Sequence, residues 1–178
     1  AAFCGGNVQG DEVGSREIVF RPGPARQGGT FRFDIGTAGS STMLAFTLIP
    51  LALHAERPSR FFLTGGVFQD FAPGAFHMRD VLLSHLADMG AQVRMVVERP
   101  GYVPKGGGRL LLEAEPIRSP LKSLQRLEPG ESRRFWGIAL ASCLAEEKVA
   151  ERMAARCREL LAGQVPLEFE ILQDSSAQ

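Results

Sequence analysis

Apolar and polar side chains alternate over residues 30–35, and this period of two residues is typical of a half-buried strand. The segment at 16–20, which ends in three apolar residues, predicts another strand before it. The segment that joins the two runs is rich in proline and glycine, which favours a turn. We therefore expect these two strands to pair as a hairpin.

Two longer runs have apolar residues at helical spacing. Leu44, Leu48 and Leu51 predict a helix that starts near Ser40. This helix is apolar almost all round, so we expect it to be buried. A second helix is predicted from residue 75 to residue 89, because apolar residues recur on one stripe and a glycine follows as the stop signal.

Further strands are predicted at 59–66, 91–98 and 109–116, which completes the order β-β-α-β-α-β-β. This order indicates a compact α/β unit with its helices on one face of a sheet.

The chain becomes polar and rich in proline after Pro116, which we interpret as the entry to a second module. There the pattern predicts a strand at 135–143, a helix at 145–163 and a strand at 165–172. The apolar residues of that helix predict a buried stripe made of Val149, Met153, Cys157 and Leu160.

Charge and cysteine content exclude several classes of protein. Lysine plus arginine number 20 and aspartate plus glutamate number 20, so any contact with nucleic acid must come from a local patch. The longest apolar stretches are shorter than the roughly 20 residues that a membrane span needs. Three widely separated cysteines and no histidine at metal-ligand spacing argue against a disulfide scaffold or a zinc site, and favour the cytoplasm.

Both ends of the chain have the features of a segment from a longer protein. The first residue is not methionine, and residues 1–5 are typical of the last turn of a helix with Gly5 as its stop. The final residues are small and polar. We therefore expect the chain to be the middle portion of a longer polypeptide.

The segment "GTAGSST" at 36–42 is the best candidate for binding an anion. Backbone N–H groups and hydroxyls at the start of a helix can hold a phosphate, which makes Gly39, Ser40 and Ser41 the phosphate-binding candidates. The alternative is structural: the glycines allow close packing and Ser40 caps the helix.

Three consecutive glycines, Gly106–Gly108, have a similar pair of interpretations. Their N–H groups and the neighbouring Lys105 could hold a phosphate. The alternative, which we favour, is a turn between two antiparallel strands in which at least one glycine has a positive φ.

A third segment, residues 65–80, combines the aromatic residues Phe68, Phe71 and Phe76 with a helix start at Pro73 and Gly74. These rings either stack on a base or pack in the core. No pairing of a nucleophile with a base emerges from the spacing.

These motifs occur together, and in the same order, in one known family. The segments "IGTAGSSTMLAFTLIPLAL", "PSR", "TGG", "APGAF" and "GYVPKGGGRL" closely resemble the RNA 3′-terminal phosphate cyclases. The family signature is a glycine, two residues, a proline, one residue and three glycines, and Gly101, Pro104 and Gly106–Gly108 match it in register. The resemblance is specific over residues 1–117 and continues weakly beyond them.

The resemblance implies a fold of repeated βαβαββ units, similar to the synthase that makes the enolpyruvyl shikimate ester. Residues 1–116 would be one core repeat preceded by the tail of another, and residues 117–178 part of a small inserted α/β domain. It also implies a reaction in which ATP, with Mg²⁺ or Mn²⁺, adenylates a histidine. AMP then moves to an RNA 3′-phosphate, and the 2′-hydroxyl displaces it to leave a 2′,3′-cyclic phosphate.

The chain departs from the family at several contact positions. Phe46 occupies the place of a glutamine that touches the nucleotide, Gly74 that of a proline that packs on adenine, and Pro100 that of an arginine or histidine. We retain Phe46, Pro73 and Gly74 only as positions of the nucleotide pocket, without carrying over the contacts that the family residues make there.

The family's nucleophilic histidine lies in a C-terminal repeat, and none of His54, His77 and His85 matches it. We therefore predict no catalytic residue and no metal ligand in this chain, which alone should be inactive. The expected partners are RNA with a 3′-phosphate end and the rest of the same polypeptide, with no membrane. The rival hypothesis is a non-catalytic, cyclase-like protein that binds RNA or acts in ribosome assembly, and a third is a scaffold without function.

Overall fold

A computed structural model of the chain describes residues 1–24, 27–163 and 166–175. Residues 25–26 of the predicted proline- and glycine-rich turn and residue 165 of the last predicted strand lie outside this part. The structure is of the mixed α/β class, as predicted, and divides into two compact units, Ala1–Leu124 and Gln125–Gln178.

The first unit starts with a small antiparallel pair of strands, β1 (Asn7–Gln9) and β2 (Val19–Arg21). The predicted hairpin between β2 and the next strand is therefore wrong. Close contact between the first residues of the chain and the segment after β2 favours the observed pairing. A Cβ atom on Gly23 would lie 2.3 Å from the carbonyl oxygen of Cys4, so glycine permits this approach.

Four longer strands form the main sheet in the order β3-β4-β6-β5. They are β3 (Gly29–Asp34), β4 (Ser59–Gly65), β5 (Gln92–Arg99) and β6 (Gly108–Glu115). Strand β3 is parallel to β4, and β6 is antiparallel to both of its neighbours. Helix α1 (Ser41–Leu53) lies between β3 and β4 along the chain, and a second helical segment lies between β4 and β5, so the unit has the order βαβαββ.

The core lies between the helices and one face of this sheet. Rings on β3 and β4 pack against each other, with centroids of Phe31 and Phe61 5.4 Å apart. From α1 (Ser41–Leu53), the buried residues that join this core include Ala45, Leu48 and Ala52.

The expectation that α1 is buried holds for only one side of the helix. Met43, Phe46 and Leu51 are 45%, 49% and 47% exposed. The helix packs on the sheet through the side that carries Ala45, Leu48 and Ala52, so the apolar residues on its other side face outward.

The second helical segment changes its hydrogen-bonding pattern along its length. It consists of α2 (Ala75–His77), a π-helical turn (Met78–Leu82) and α3 (Leu83–Asp88). Gly90 has a φ of +99°, which agrees with its predicted role as the stop of this segment. The π-helical turn was not predicted, because helical spacing of apolar residues does not distinguish it from an α-helical turn.

Residues after Pro116 still pack on the first unit. The backbone N–H of Ile117 donates to the carbonyl of Leu53, and that of Lys122 to the carbonyl of Met89, both at 2.9 Å. The two compact units therefore separate after Leu124, eight residues beyond the change in composition. The assignment of residues 117–178 to the family's inserted domain stays a prediction.

The second unit contains β7 (Phe135–Ser142), α4 (Val149–Leu160) and β8 (Leu167–Asp174), and its two strands are parallel. Its core consists of four buried alanines on β7 and α4, with Val149 and Phe169 packed against them. The predicted stripe is therefore wrong in part: Met153 and Leu160 are 50% and 62% exposed. Alanines allow the helix to approach the strands closely, and this places Ala150 and Ala154 inward.

Candidate functional site

Three loops meet at one edge of the main sheet. We call residues 35–40 the first loop, residues 66–74 the second loop and residues 100–107 the third loop. Because β3 and β4 are parallel, the first and second loops leave the sheet at the same edge. The third loop joins β5 to β6 at that edge too, since Gly65 at the end of β4 pairs with Gly108 at the start of β6. Ligands of α/β sheets commonly bind beyond the carboxyl ends of parallel strands, which makes this edge the candidate site.

The first and second loops are joined by backbone hydrogen bonds around Gly66. Its N–H donates to the carbonyl of Gly39 at 2.8 Å, and its own carbonyl accepts from the N–H of Ser41 at 2.9 Å. The hydroxyl of Ser41 donates to the same carbonyl at 2.7 Å. The side-chain amide of Gln69 donates to the carbonyl of Ala38. These bonds fix the two loops as one structural unit.

The third loop packs against both of the others. The carbonyl of Gly101 accepts from the N–H groups of Val67 and Phe68 at 2.9 and 3.1 Å. Gly106 approaches the first loop so closely that a Cβ atom on it would lie 2.8 Å from the carbonyl oxygen of Thr37.

The prediction for the three consecutive glycines is confirmed in its structural part. Gly106 and Gly107 have φ angles of +72° and +68° and connect the antiparallel strands β5 and β6. Gly108 is the first residue of β6. The signature thus encodes a tight turn and a close approach of the third loop to the first.

The phosphate-binding candidates lie where α1 begins. Ser40 is the N-cap, as predicted, because its Oγ accepts a hydrogen bond of 3.0 Å from the N–H of Met43. The N–H of Gly39 donates to Oγ1 of Thr37 at 3.1 Å, and the Ser41 hydroxyl is fully buried. Several donors of this segment therefore have partners inside the loops, which supports the structural interpretation, and the phosphate role stays a prediction.

The three nucleotide-pocket candidates lie on two different elements. Phe46 is in the middle of α1 on its exposed side. Pro73 and Gly74 end the second loop, and Gly74 is the residue before α2 with an extended backbone (φ −64°, ψ 131°). A Cβ atom on Gly74 would have only an ordinary contact of 3.8 Å with His77, so the position accepts a side chain. Their contact with a nucleotide stays a prediction.

The aromatic residues of the second loop have separate roles. Phe68 packs against Phe76 and Tyr102, with ring centroids 5.2 and 5.8 Å apart. Phe71 is 104% exposed and has a φ of +60°. The sequence interpretation left stacking and core packing open for all of these rings, and the structure separates Phe71 from the two packed ones. Neither this separation nor the Gln69 contact has a signal in local sequence pattern.

Charged groups at the loops offer no metal site. Within residues 1–24, 27–163 and 166–175, no group of three or more His, Cys, Asp and Glu side chains could hold a metal ion.

On the sheet face opposite the helices, the hydrogen bond from Arg60, aided by Arg94, lowers the pKa of Glu113. Near the start of the chain, the backbone hydrogen bond from Gly23 lowers the pKa of the Cys4 thiol. In the same described ranges, no helix is long and apolar enough to cross a bilayer.

Comparison with known proteins gives a consistent match. The family model described as RNA 3′-terminal phosphate cyclase matches residues 1–175. A relative named RNA 3′-terminal phosphate cyclase from Pseudomonas fluorescens is 41% identical over 170 residues, which cover 94% of this chain and 47% of that protein. Relatives with the same name from Pyrobaculum neutrophilum and Staphylothermus marinus are 36% and 34% identical, covering 91% and 94% of this chain and 46% of each relative. The chain thus spans about half the length of the curated relatives it matches.

Proposed function

Because the chain belongs to the RNA 3′-terminal phosphate cyclase family, we propose that the polypeptide containing it converts an RNA 3′-phosphate into a 2′,3′-cyclic phosphate, with ATP as co-substrate. The observation that carries this proposal is the family match over residues 1–175, together with relatives that bear the same name. In this proposal the chain supplies one βαβαββ unit and its three loops, and the rest of the same polypeptide completes the site.

The proposed sequence of steps follows the family resemblance. A histidine nitrogen attacks the α-phosphorus of ATP and pyrophosphate leaves. An oxygen of the RNA 3′-phosphate then attacks the phosphorus of AMP, and the N–P bond to the histidine breaks. The adjacent 2′-hydroxyl finally loses its proton and attacks the RNA 3′-phosphorus while AMP leaves. The bond that forms is O2′–P and the bond that breaks joins the RNA phosphate to AMP. The nucleophilic histidine of this scheme is not one of His54, His77 and His85, so it belongs to another part of the polypeptide.

The residues of this chain have a positioning role in the proposal. Gly39, Ser40 and Ser41 would orient a phosphate at the positive end of the α1 dipole. The hydrogen bonds around Gly66 fix the shape of this region before any ligand arrives, which lowers the cost of ordering it on binding. Phe46, Pro73 and Gly74 would contact the nucleotide.

The divalent cation implied by the family, Mg²⁺ or Mn²⁺, does not fit the described residues as a resident ion. Such cations prefer several oxygen ligands, and residues 1–24, 27–163 and 166–175 contain no suitable group of acidic, histidine or cysteine side chains. We therefore route no step through a metal ion bound by this chain.

Adenylation and cyclisation can be measured separately. The 178-residue chain, incubated with labelled ATP and Mg²⁺ or Mn²⁺, should remain unlabelled. The complete polypeptide should take up acid-labile AMP and convert a 3′-phosphorylated oligoribonucleotide into its cyclic form, while a 3′-hydroxyl oligonucleotide serves as the control. A complete polypeptide that takes up no AMP and leaves the 3′-phosphate unchanged would refute the proposal.

A non-catalytic cyclase-like protein that binds RNA is the second candidate function. The observation that favours it is the replacement of two expected nucleotide contacts by Phe46 and Gly74. It predicts that the complete polypeptide binds RNA without becoming adenylated. For either function a cytoplasmic location fits the odd number and wide separation of the three cysteines.

A further inference from the structure

Phe71 is an aromatic side chain in an unusual position. It is 104% exposed, whereas Phe68 and Phe76 on either side of it pack against each other. Its φ of +60° lies in the left-handed region, which residues with a bulky side chain seldom adopt. Thus the ring is presented to solvent by a backbone conformation that its own side chain disfavours.

The backbone on both sides of Phe71 is held in place. Before it, the Gln69 side chain donates to Ala38, and the N–H of Phe68 donates to the carbonyl of Gly101 at 3.1 Å. After it, the carbonyl of Gly74 accepts from the N–H of Met78 at 2.9 Å, and Ala75 is fully buried. Since the loop is anchored at both ends, the backbone at Phe71 has a defined position, from which the ring projects into solvent. Local strain that surrounding structure maintains is often associated with function.

We propose that Phe71 stacks on a nucleobase near the 3′ end of the RNA substrate, an inference that rests on the proposed function. Every base has a flat π-face, and stacking on an exposed aromatic ring is the usual way to hold single-stranded RNA. The neighbouring Asp70 is exposed and acidic, so this tip of the loop suits a base better than a phosphate. The whole chain has no net positive charge, so a contact that does not depend on charge has particular value for RNA binding.

The variant Phe71→Asn separates stacking from stability. Asparagine tolerates the left-handed conformation, and an exposed ring has little packing to lose, so the melting temperature should stay the same or rise. Loss of base stacking should weaken RNA binding about tenfold. Phe71→Trp should bind as the unaltered protein does, and Phe71→Leu should weaken binding because leucine has no π-face. Leu127→Asn is the matched control, since Leu127 is 86% exposed but lies in the second unit.

The experiment uses the complete polypeptide and a 3′-phosphorylated oligoribonucleotide with 2-aminopurine as its last base. Stacking quenches 2-aminopurine, so quenching should accompany binding and should be lost in Phe71→Asn. Adenylation by ATP without RNA should be the same in Phe71→Asn as in the unaltered polypeptide. If Phe71→Asn lowers adenylation but not RNA binding, the ring contacts adenine of ATP, and the inference is wrong.

Three further outcomes would also decide the matter. If the complete polypeptide binds RNA and Phe71→Asn binds it equally well, the inference fails while the proposed function stands. The same holds if Phe71→Asn clearly lowers the melting temperature, because the ring would then pack against another part of the polypeptide. A complete polypeptide that binds no 3′-phosphorylated RNA would overturn both the proposed function and this inference.

Discussion

Adjacent glycines in the third loop allow the cost of a left-handed backbone to be separated from the cost of close packing. Gly106 and Gly107 have nearly equal φ angles, +72° and +68°. A Cβ atom on Gly107 would meet nothing within 4 Å, whereas one on Gly106 would lie 2.8 Å from the carbonyl oxygen of Thr37 and 2.9 Å from Cα of Ala38. Gly106→Ala and Gly107→Ala therefore form a matched pair.

The expected magnitudes follow from this geometry. An L-residue in the left-handed region costs roughly 1–2 kcal/mol, and the loss of glycine's freedom in the unfolded chain offsets about 0.4–1 kcal/mol of it. Gly107→Ala should then lower the free energy of unfolding by about 1 kcal/mol. Gly106→Ala adds an overpacking cost of about 1–3 kcal/mol, because the atoms in its way are backbone atoms that cannot rotate aside. We expect a difference of about 2 kcal/mol between the two variants.

Urea unfolding followed by far-ultraviolet circular dichroism measures both values in the 178-residue chain. With a difference of this size, Gly106→Ala should also melt about 4–8 °C below Gly107→Ala. Equal destabilisation by the two substitutions would refute the close approach of the third loop to the first. No destabilisation by Gly107→Ala would refute the left-handed turn.

Three other predictions address the sites described above. Gly74 has a φ of −64° and an open Cβ position, so Gly74→Pro, which restores the family's proline, should raise the free energy of unfolding by about 0.4–1 kcal/mol in urea titrations, with Gly74→Ala as control. Ser40→Ala removes the N-cap of α1 and should lower the free energy of unfolding by about 1 kcal/mol, whereas Ser40→Asp should preserve the cap and the stability. The Arg60 hydrogen bond lowers the pKa of Glu113, so its stabilisation is present above the ordinary glutamate pKa of about 4.3 and is lost as the pH falls through the lower folded value. Glu113→Gln should accordingly cost at most about 1 kcal/mol at pH 7 and much less in acid, in unfolding curves at a series of pH values.

The secondary structure of the first unit could be predicted from the sequence because strands and helices have different apolar periods. The partner of β2 could not be predicted, since pairing depends on distant residues. Here Gly23 allows the backbone to pass close to Cys4, and Phe31 of β3 packs against Phe61 of β4. Local alternation reports which face of a strand is buried, but it does not identify the strand beside it.

The inward side of α4 shows a second limit of pattern analysis. The greater hydrophobicity of Met153 and Leu160 favours them as core residues, yet Ala150 and Ala154 are the buried positions. Small side chains let the helix approach the two-stranded sheet closely, and the larger Met153 and Leu160 are left exposed. Side-chain volume, and not hydrophobicity alone, decided which stripe faces inward.

The loops at the candidate site show why a glycine signature and a set of contact residues carry different information. At Gly66 and Gly106 an added Cβ atom would come within 3 Å of backbone atoms of the first loop, and at Gly101 within 3 Å of backbone atoms of Gly65 and Gly108 at the strand ends. These glycines are therefore needed for the loops to meet at all. Phe46, Phe71 and Gly74 are exposed, so the loops can pack in the same way whichever residues occupy these positions. The arrangement of the loops can therefore persist while the contacts they offer change. It follows that the glycine signature cannot separate a cyclase from a non-catalytic relative, and that substitutions at these three exposed positions are the ones that can.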